Sequence, residues 1–411
     1  MADLPTADQV AQAVAEAHSS EWASVLAATA RVAADLDLAE DCVQDAYAKA
    51  LVHWQEQGVP RKPGAWLTTV ATRRALELRR RADVARRKLP LLVPVEDVQD
   101  GTFPDDRLRL VFTCCHPALA QETQVALTLR LVCGLSSAEI AKAFLVKEAT
   151  MQARITRAKQ KISRSGIPYR IPQLAELGER IDAVLDVVHL VYTAGHTAGD
   201  GDTLTRPDLA QRGIDLARMM RLLLPDSAEA AGLLALLLLT QARQAARVDE
   251  AGQLVLLDDQ DRSLWDQALI AEGLELMPAA LAGPATVGRY GVMAAIAAVH
   301  AEAERWEDTD WGEILGLYDL LLDRWPSPVV ALNRVVAIAY VAGPEQALVE
   351  LDELAADPAL ATYPYLASTR AELLRRTGDW TAAKAAYEEA LAFTSNAVEA
   401  AFLQGRITRG A

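Results

Sequence analysis

Cysteine is scarce and badly spaced for cross-linking. Only Cys42, Cys114, Cys115 and Cys133 occur in 411 residues, with no CxxC pair, so a disulfide framework is not expected and the thiols read as reduced and buried. Adjacent Cys114, Cys115 and His116 cannot readily close a tetrahedral zinc site, and no second ligand pair accompanies them. Aromatic residues make up only 5% of a chain that is 51% hydrophobic, and long β-branched runs are missing. A composition rich in Ala and Leu favours helices packed through small and aliphatic side chains, so an all-α fold is expected. The most apolar stretch, Ala230 to Leu239, is about half a membrane span, and the opening MADLPTADQV lacks a basic start followed by an apolar core. A cytoplasmic protein with no membrane partner follows. No GxGxxG, P-loop or HExxH motif is present, so no enzyme and no cofactor are expected.

Charge is unevenly distributed. The net charge is −15, but residues 1–170 hold 23 Lys and Arg against 20 Asp and Glu, whereas residues 171–411 hold 18 against 36. The first part is therefore +3 and the second −18, and an average over both hides a local cationic footprint. Residues 61–90 hold ten basic side chains against Glu77 and Asp83, and residues 142–170 hold eight against Glu148. A lone cluster of this kind reads as solvated helix surface. Two clusters, each beside a motif, suit a surface that faces phosphates.

Breaks in the helical pattern divide the chain. A first block runs over residues 1–88, a linker with Pro90, Pro94, Gly101 and Pro104 over 89–104, and a second block over 105–166. After Gly166-Ile167-Pro168 the chain becomes an acidic series of amphipathic helices over 167–411.

In the first block, LAEDCVQDAYAKALVHW from Leu38 to Trp54 repeats apolar residues at three- and four-residue steps, which predicts one buried helical face. The opposite face carries Glu40, Asp41, Gln44, Asp45 and Lys49, a polar, largely acidic strip suited to a basic partner. A short loop follows, and then GAWLTTVATRRALELRRR from Gly64 to Arg81 predicts a basic helix. Trp54, Arg61 and Lys62 stand where the loop begins and ends. Trp54 and Trp66 read either as core packing or as stacking surfaces for bases.

The two segments together resemble region two of the extracytoplasmic-function sigma factors of the sigma-70 family. The resemblance implies that the acidic helix grips the β′ clamp helices of core RNA polymerase. It further implies that the loop and the basic helix capture and open the minus-ten promoter element, with Arg61, Lys62, Arg73, Arg74, Arg79 and Arg80 as the DNA-binding candidates.

In the second block, Gly134 is expected to close one helix and Ser136 or Ser137 to cap the next. A helix to about Leu145, a turn at Val146-Lys147-Glu148 and a helix from Ala149 to about Ser163 make a helix-turn-helix. Met151, Ile155, Ala158 and Ile162 form its inward stripe, leaving Gln152, Arg154, Arg157, Lys159 and Lys161 to solvent or DNA. GLSSAEIAKAF and TMQARITRAKQKI resemble sigma region four, which reads the minus-thirty-five element and docks on the polymerase β flap. The implied DNA-binding residues are Lys147, Thr150, Gln152, Arg154, Arg157 and Lys159. Ala149 and Ala153 stand where longer polar side chains would read bases, so Gln152 and Arg154 are the base-reading candidates.

The acidic remainder carries Asp379 to Leu391, with the small–aromatic–small spacing of a tetratricopeptide helix, and Gly343 to Leu348 echoes its opening about 36 residues earlier. A tetratricopeptide-like α-solenoid is expected, with a protein partner for its concave surface and a regulatory role in cis. The segments LVLLDDQDRSLWDQALI and SPVVALNRVVAIA also resemble the C-terminal extension found in a subgroup of these sigma factors. A rival reading is a helix-turn-helix regulator with a ligand- or peptide-binding helical domain, which leaves the first block unexplained. His189, His196, Asp200, Asp202 and Arg206 gather around the glycine-rich YTAGHTAGDGDTLTR and raise an enzyme reading, but a polar loop joining helices accounts for them. Asp258, Asp259, Asp261 and Arg262 read as a solvated or salt-bridged helix start.

Overall fold

In the computed structural model, residues 5–86, 106–144, 146–198, 200–282 and 287–409 are described. The interblock linker at 89–104, with its four helix breakers, lies outside the described residues. The chain forms two compact units, Met1–Val187 and Val188–Ala411.

In the first unit, α1 (Ala7–Ala33), α2 (Leu36–Gln57) and α3 (Pro63–Arg86) pack on one another. Local chemistry sets their ends. Thr6 and Gln9 form a reciprocal capping box at the start of α1, and the Asp35 carboxylate accepts from Leu38 N at 2.8 Å to open α2. The expected apolar stripe of α2 is buried through Ala39, Cys42, Val43, Ala46, Tyr47, Ala50 and Trp54, whereas Leu51, expected on the same face, is exposed at the edge of the stripe.

There follow α4 (Asp106–Cys114), α5 (Gln121–Leu127), α6 (Ser137–Ala143) and α7 (Glu148–Arg164). A π-helical turn, Thr128–Val132, extends α5, and Gly134 leaves it at φ 73°, a conformation that disfavours any residue with a Cβ. Ser136 caps α6, with Ser136 N donating to the Glu139 carboxylate at 2.7 Å and Glu139 N to Ser136 Oγ at 3.2 Å. The expected helix to Leu145 ends earlier, because Val146 N turns back to the Ala141 carbonyl and closes it. Met151, Ile155, Ala158 and Ile162 are all buried, so the inward stripe of α7 stands where periodicity put it. The division between the units falls inside α8 (Leu174–His196), whose Arg180 donates to the Phe112 carbonyl at 2.6 Å.

The second unit continues with α9 (Pro207–Leu223), α10 (Ala228–Gln241), α11 (Gln267–Leu281), α12 (Arg289–Glu302), α13 (Trp311–Arg324) and α14 (Pro328–Val341). It ends with α15 (Pro344–Leu354), α16 (Pro364–Thr377), α17 (Trp380–Phe393) and α18 (Ala397–Arg409). From α11 onward each helix packs on the next. The small–aromatic–small pattern of α17 buries Ala383, Ala386, Tyr387 and Ala390 against Ala367 and Ala371 of α16. One feature departs from a purely helical expectation: Asp200–Gly201 pairs in parallel with Ser395–Asn396. The fully buried Asn396 amide anchors it, donating to the Ala198 and Thr203 carbonyls, each at 2.9 Å.

Candidate nucleic-acid interface

Helical spacing puts Asp41, Gln44, Asp45 and Lys49 on one exposed strip of α2. Asp45 lies 3.7 Å from Arg74 of α3, which also meets Glu77 at 3.1 Å. Asp45, Lys49 and Arg74, with Val52, His53, Glu56 and Trp66, line an open depression across the two helices. Trp66 is partly exposed and stacks on His53 at 5.5 Å. Trp54 is fully buried and meets Trp66 edge-on at 5.6 Å, so it is a core residue.

The loop from Gly58 to Lys62 presents Arg61 and Lys62 to solvent. Along α3, Arg73 and Arg80 are exposed, whereas Arg79 donates to the Val32 carbonyl at 2.8 Å and so helps fasten α3 to the end of α1. Lys147, just before α7, and Thr150, Gln152 and Arg157 on it are exposed; Arg154 is half-buried and bridges Glu122 at 3.2 Å.

Two expected surface residues are not at the surface. Glu40 is 4% exposed, and its carboxylate pairs with Arg130 of the π-helical turn and, at 2.6 Å, with Lys159 of α7. Lys159 also holds Asp37 at 2.8 Å, and its side chain is only 10% exposed. Burial opposes the Lys159 charge, but Glu40 and Asp37 outweigh it and raise the ammonium's pKa. The reading of Glu40 as part of a free acidic strip, and of Lys159 as facing solvent or DNA, is corrected for this arrangement: each side chain neutralises the other.

Other contacts reinforce this junction of the first and second blocks. Trp22 Nε1 donates to the Leu131 carbonyl at 3.0 Å and Arg31 meets Asp106 at 3.0 Å, and just beyond the second block Tyr169 Oη donates to the Ala27 carbonyl at 2.9 Å. Sequence reasoning missed Arg130. Its signal was present: a single cation inside the apolar run VALTLRLV requires an acid or a carbonyl beside it, and Arg130 also donates to the Leu135 carbonyl at 3.0 Å.

In the second unit, the glycine-rich segment is built as connection. Tyr192 stacks on His196, with Tyr192 Oη 3.1 Å from His196 Nδ1, and burial together with Arg247 and Arg243 lowers the His196 pKa to about 2. Arg262, expected at a solvated or salt-bridged helix start, does open a short helical turn, Arg262–Leu264, and there donates to the His300 carbonyl at 2.5 Å and lies over the Trp265 ring. Asp261 caps its turn by accepting from Ser263 N at 2.9 Å. Among the described residues no cluster of three His, Cys, Asp or Glu is placed to hold a metal, and no helix is long and apolar enough to cross a membrane.

An exposed polar strip on one helix, a basic helix after it and a helix-turn-helix with a cationic outer face define a transcription initiation factor. Comparison with known families agrees: Sigma-70 region 2 matches residues 23–84 and Sigma-70, region 4 matches residues 109–162. Residues 180–281 match a family of unknown function, DUF6596. The chain is also similar to "Uncharacterized protein R00370" of Rhizobium meliloti (strain 1021), 42% identical over 380 residues that cover 90% of this chain and 89% of the relative. The chain belongs to the sigma-70 family and is an RNA polymerase sigma factor, which binds core polymerase and promoter DNA.

Proposed function

We propose that the chain is a sigma factor of the extracytoplasmic-function type, acting in the cytoplasm, with an acidic, tetratricopeptide-like C-terminal domain that regulates it in cis. The two matched regions leave only residues 85–108 between them, too few for a further domain, which supports the two-module type. Asp41, Gln44, Asp45 and Lys49 meet the β′ clamp helices. Arg61, Lys62, Arg73, Arg74, Arg79 and Arg80 serve the minus-ten element, and Lys147, Thr150, Gln152, Arg154 and Arg157 the minus-thirty-five element, with the helix-turn-helix domain near the β flap. The chain itself performs no catalysis; it supplies position and strand opening to the polymerase.

The observation that carries the reading is that the two matched regions follow one another with only residues 85–108 between them. The pairing of Glu40 with Arg130 and Lys159 ties these two modules together. The test is core-polymerase binding by the purified full chain without DNA. Binding supports the assignment, and a helix-turn-helix protein that binds DNA but not core polymerase would be a regulator of another kind.

A further inference from the structure

The second unit holds a cleft of about 340 Å³ that promoter recognition does not use. It lies where α10, α12, α13 and α14 meet the segment before α11. Its formation depends on close helix contact: a Cβ at Gly232 of α10 would come within 2.6 Å of the Gly291 backbone nitrogen on α12. Much of the wall is aliphatic, through Leu236, Leu239, Met293, Ile296, Leu321 and Val330.

Set in that wall are Arg243, Trp265 and His300. Trp265 is 4% exposed, and its Nε1 is buried without a hydrogen-bond partner among the described residues. His300 Nδ1 is buried and unpartnered in the same way. Among the described residues, the ionisable groups that act most on Arg243 are Tyr192, Tyr318 and Arg262, and none of these is a carboxylate. Tyr318 is no counter-ion either, because burial pushes its phenol up to about 12 and keeps it protonated. Burial, with Arg243 and Arg262 nearby, lowers the His300 pKa to about 4 and keeps that ring neutral.

Arg243 is half-buried, so its guanidinium is partly withdrawn from water and favours an acceptor beside it, and an indole N–H can only donate. A guanidinium and an indole N–H lining one cleft therefore call for an anionic acceptor, and the aliphatic wall calls for an apolar body attached to it. We propose that this cleft binds a small organic carboxylate, its charge held by Arg243 and Trp265 and its apolar body by the side chains of α10, α12, α13 and α14. The site stands independently of the polymerase reading.

The test uses the full chain and four probes: 3-phenylpropionate, the matched alcohol 3-phenylpropan-1-ol, acetate and inorganic phosphate. Binding is read by calorimetry and by the concentration dependence of the melting temperature. 3-Phenylpropionate is expected to bind more tightly than the other three. Arg243→Gln weakens it by about ten- to a hundredfold, as loss of a charge-assisted hydrogen bond implies, and Trp265→Phe weakens it less. Ala297→Phe, which fills the cleft from α12 without touching a charge, removes binding while helicity is kept, and it decides the matter if Arg243→Gln does not fold. No binding of 3-phenylpropionate overturns the proposal. So does equal binding of the alcohol, which marks an apolar cavity only, or of acetate or phosphate, which marks a bare anion site. Unchanged affinity in folded Arg243→Gln or Ala297→Phe overturns it as well.

Discussion

Glu40 is buried, whereas Asp41, Gln44, Asp45 and Lys49 of the same helix are exposed. Taking a carboxylate out of water costs several kcal/mol unless cations and hydrogen bonds replace the lost solvation, and Arg130 and Lys159 do so here. Glu40→Ala is expected to lower the stability of the first unit by about 1–3 kcal/mol, read as a shift in the urea midpoint. An unchanged midpoint would show that the pair contributes nothing. Asp45 behaves differently because it is exposed and its contact with Arg74 is loose at 3.7 Å. Asp41→Arg and Asp45→Arg are expected to cost less than about 1 kcal/mol and to keep helicity, yet to weaken core-polymerase binding by reversing the sign of the strip. Affinity equal to wild type would remove these residues from the interface. The exposure of Asp41, Gln44, Asp45 and Lys49 was legible from the period of the helix alone. The burial of Glu40 was not, because Lys159 lies 119 residues away along the chain and no local pattern announces the meeting.

Helix α7 shows the same contrast at the scale of an element. Its inward stripe follows from periodicity, but the helix starts at Glu148, one residue before the expected Ala149, and of the two serines expected to cap α6 it is Ser136 that does so, paired with Glu139. The π-helical turn at Thr128–Val132 was hidden, since an apolar run reads as helix whichever carbonyl each amide selects. On the outer face, Arg157 is exposed and Arg154 is held by Glu122. Arg157→Ala is expected to weaken promoter binding and to reduce the slope of log affinity against log salt by about one, as for one lost phosphate contact. A normal slope with normal initiation would take Arg157 off the DNA. On the inner side of the junction, Lys159→Glu places a carboxylate against Glu40 and Asp37. Amide exchange in the first turns of α2 and in α7 is expected to accelerate as the modules part, and unchanged exchange would show that the ion pairs do not hold them.

For the whole molecule, the division of charge at about residue 170 was visible in composition, and the order of the two modules was visible in motifs. The compact unit, however, extends to Val187, and within it Arg180 of α8 reaches back to the Phe112 carbonyl. A fragment meant to isolate the first unit therefore ends at Val187; one cut at residue 170 would lose that contact. If the C-terminal domain assists initiation in cis, this fragment yields less promoter-specific transcript than the full chain at matched folding and salt. The most direct test of the central claim is run-off transcription by core polymerase with the purified full chain on its native promoter. The expected result is a promoter-specific transcript that depends on the added chain and falls sharply with Asp41→Arg. Core polymerase that binds the chain yet starts no specific transcript, or transcription that proceeds equally without it, would contradict the assignment.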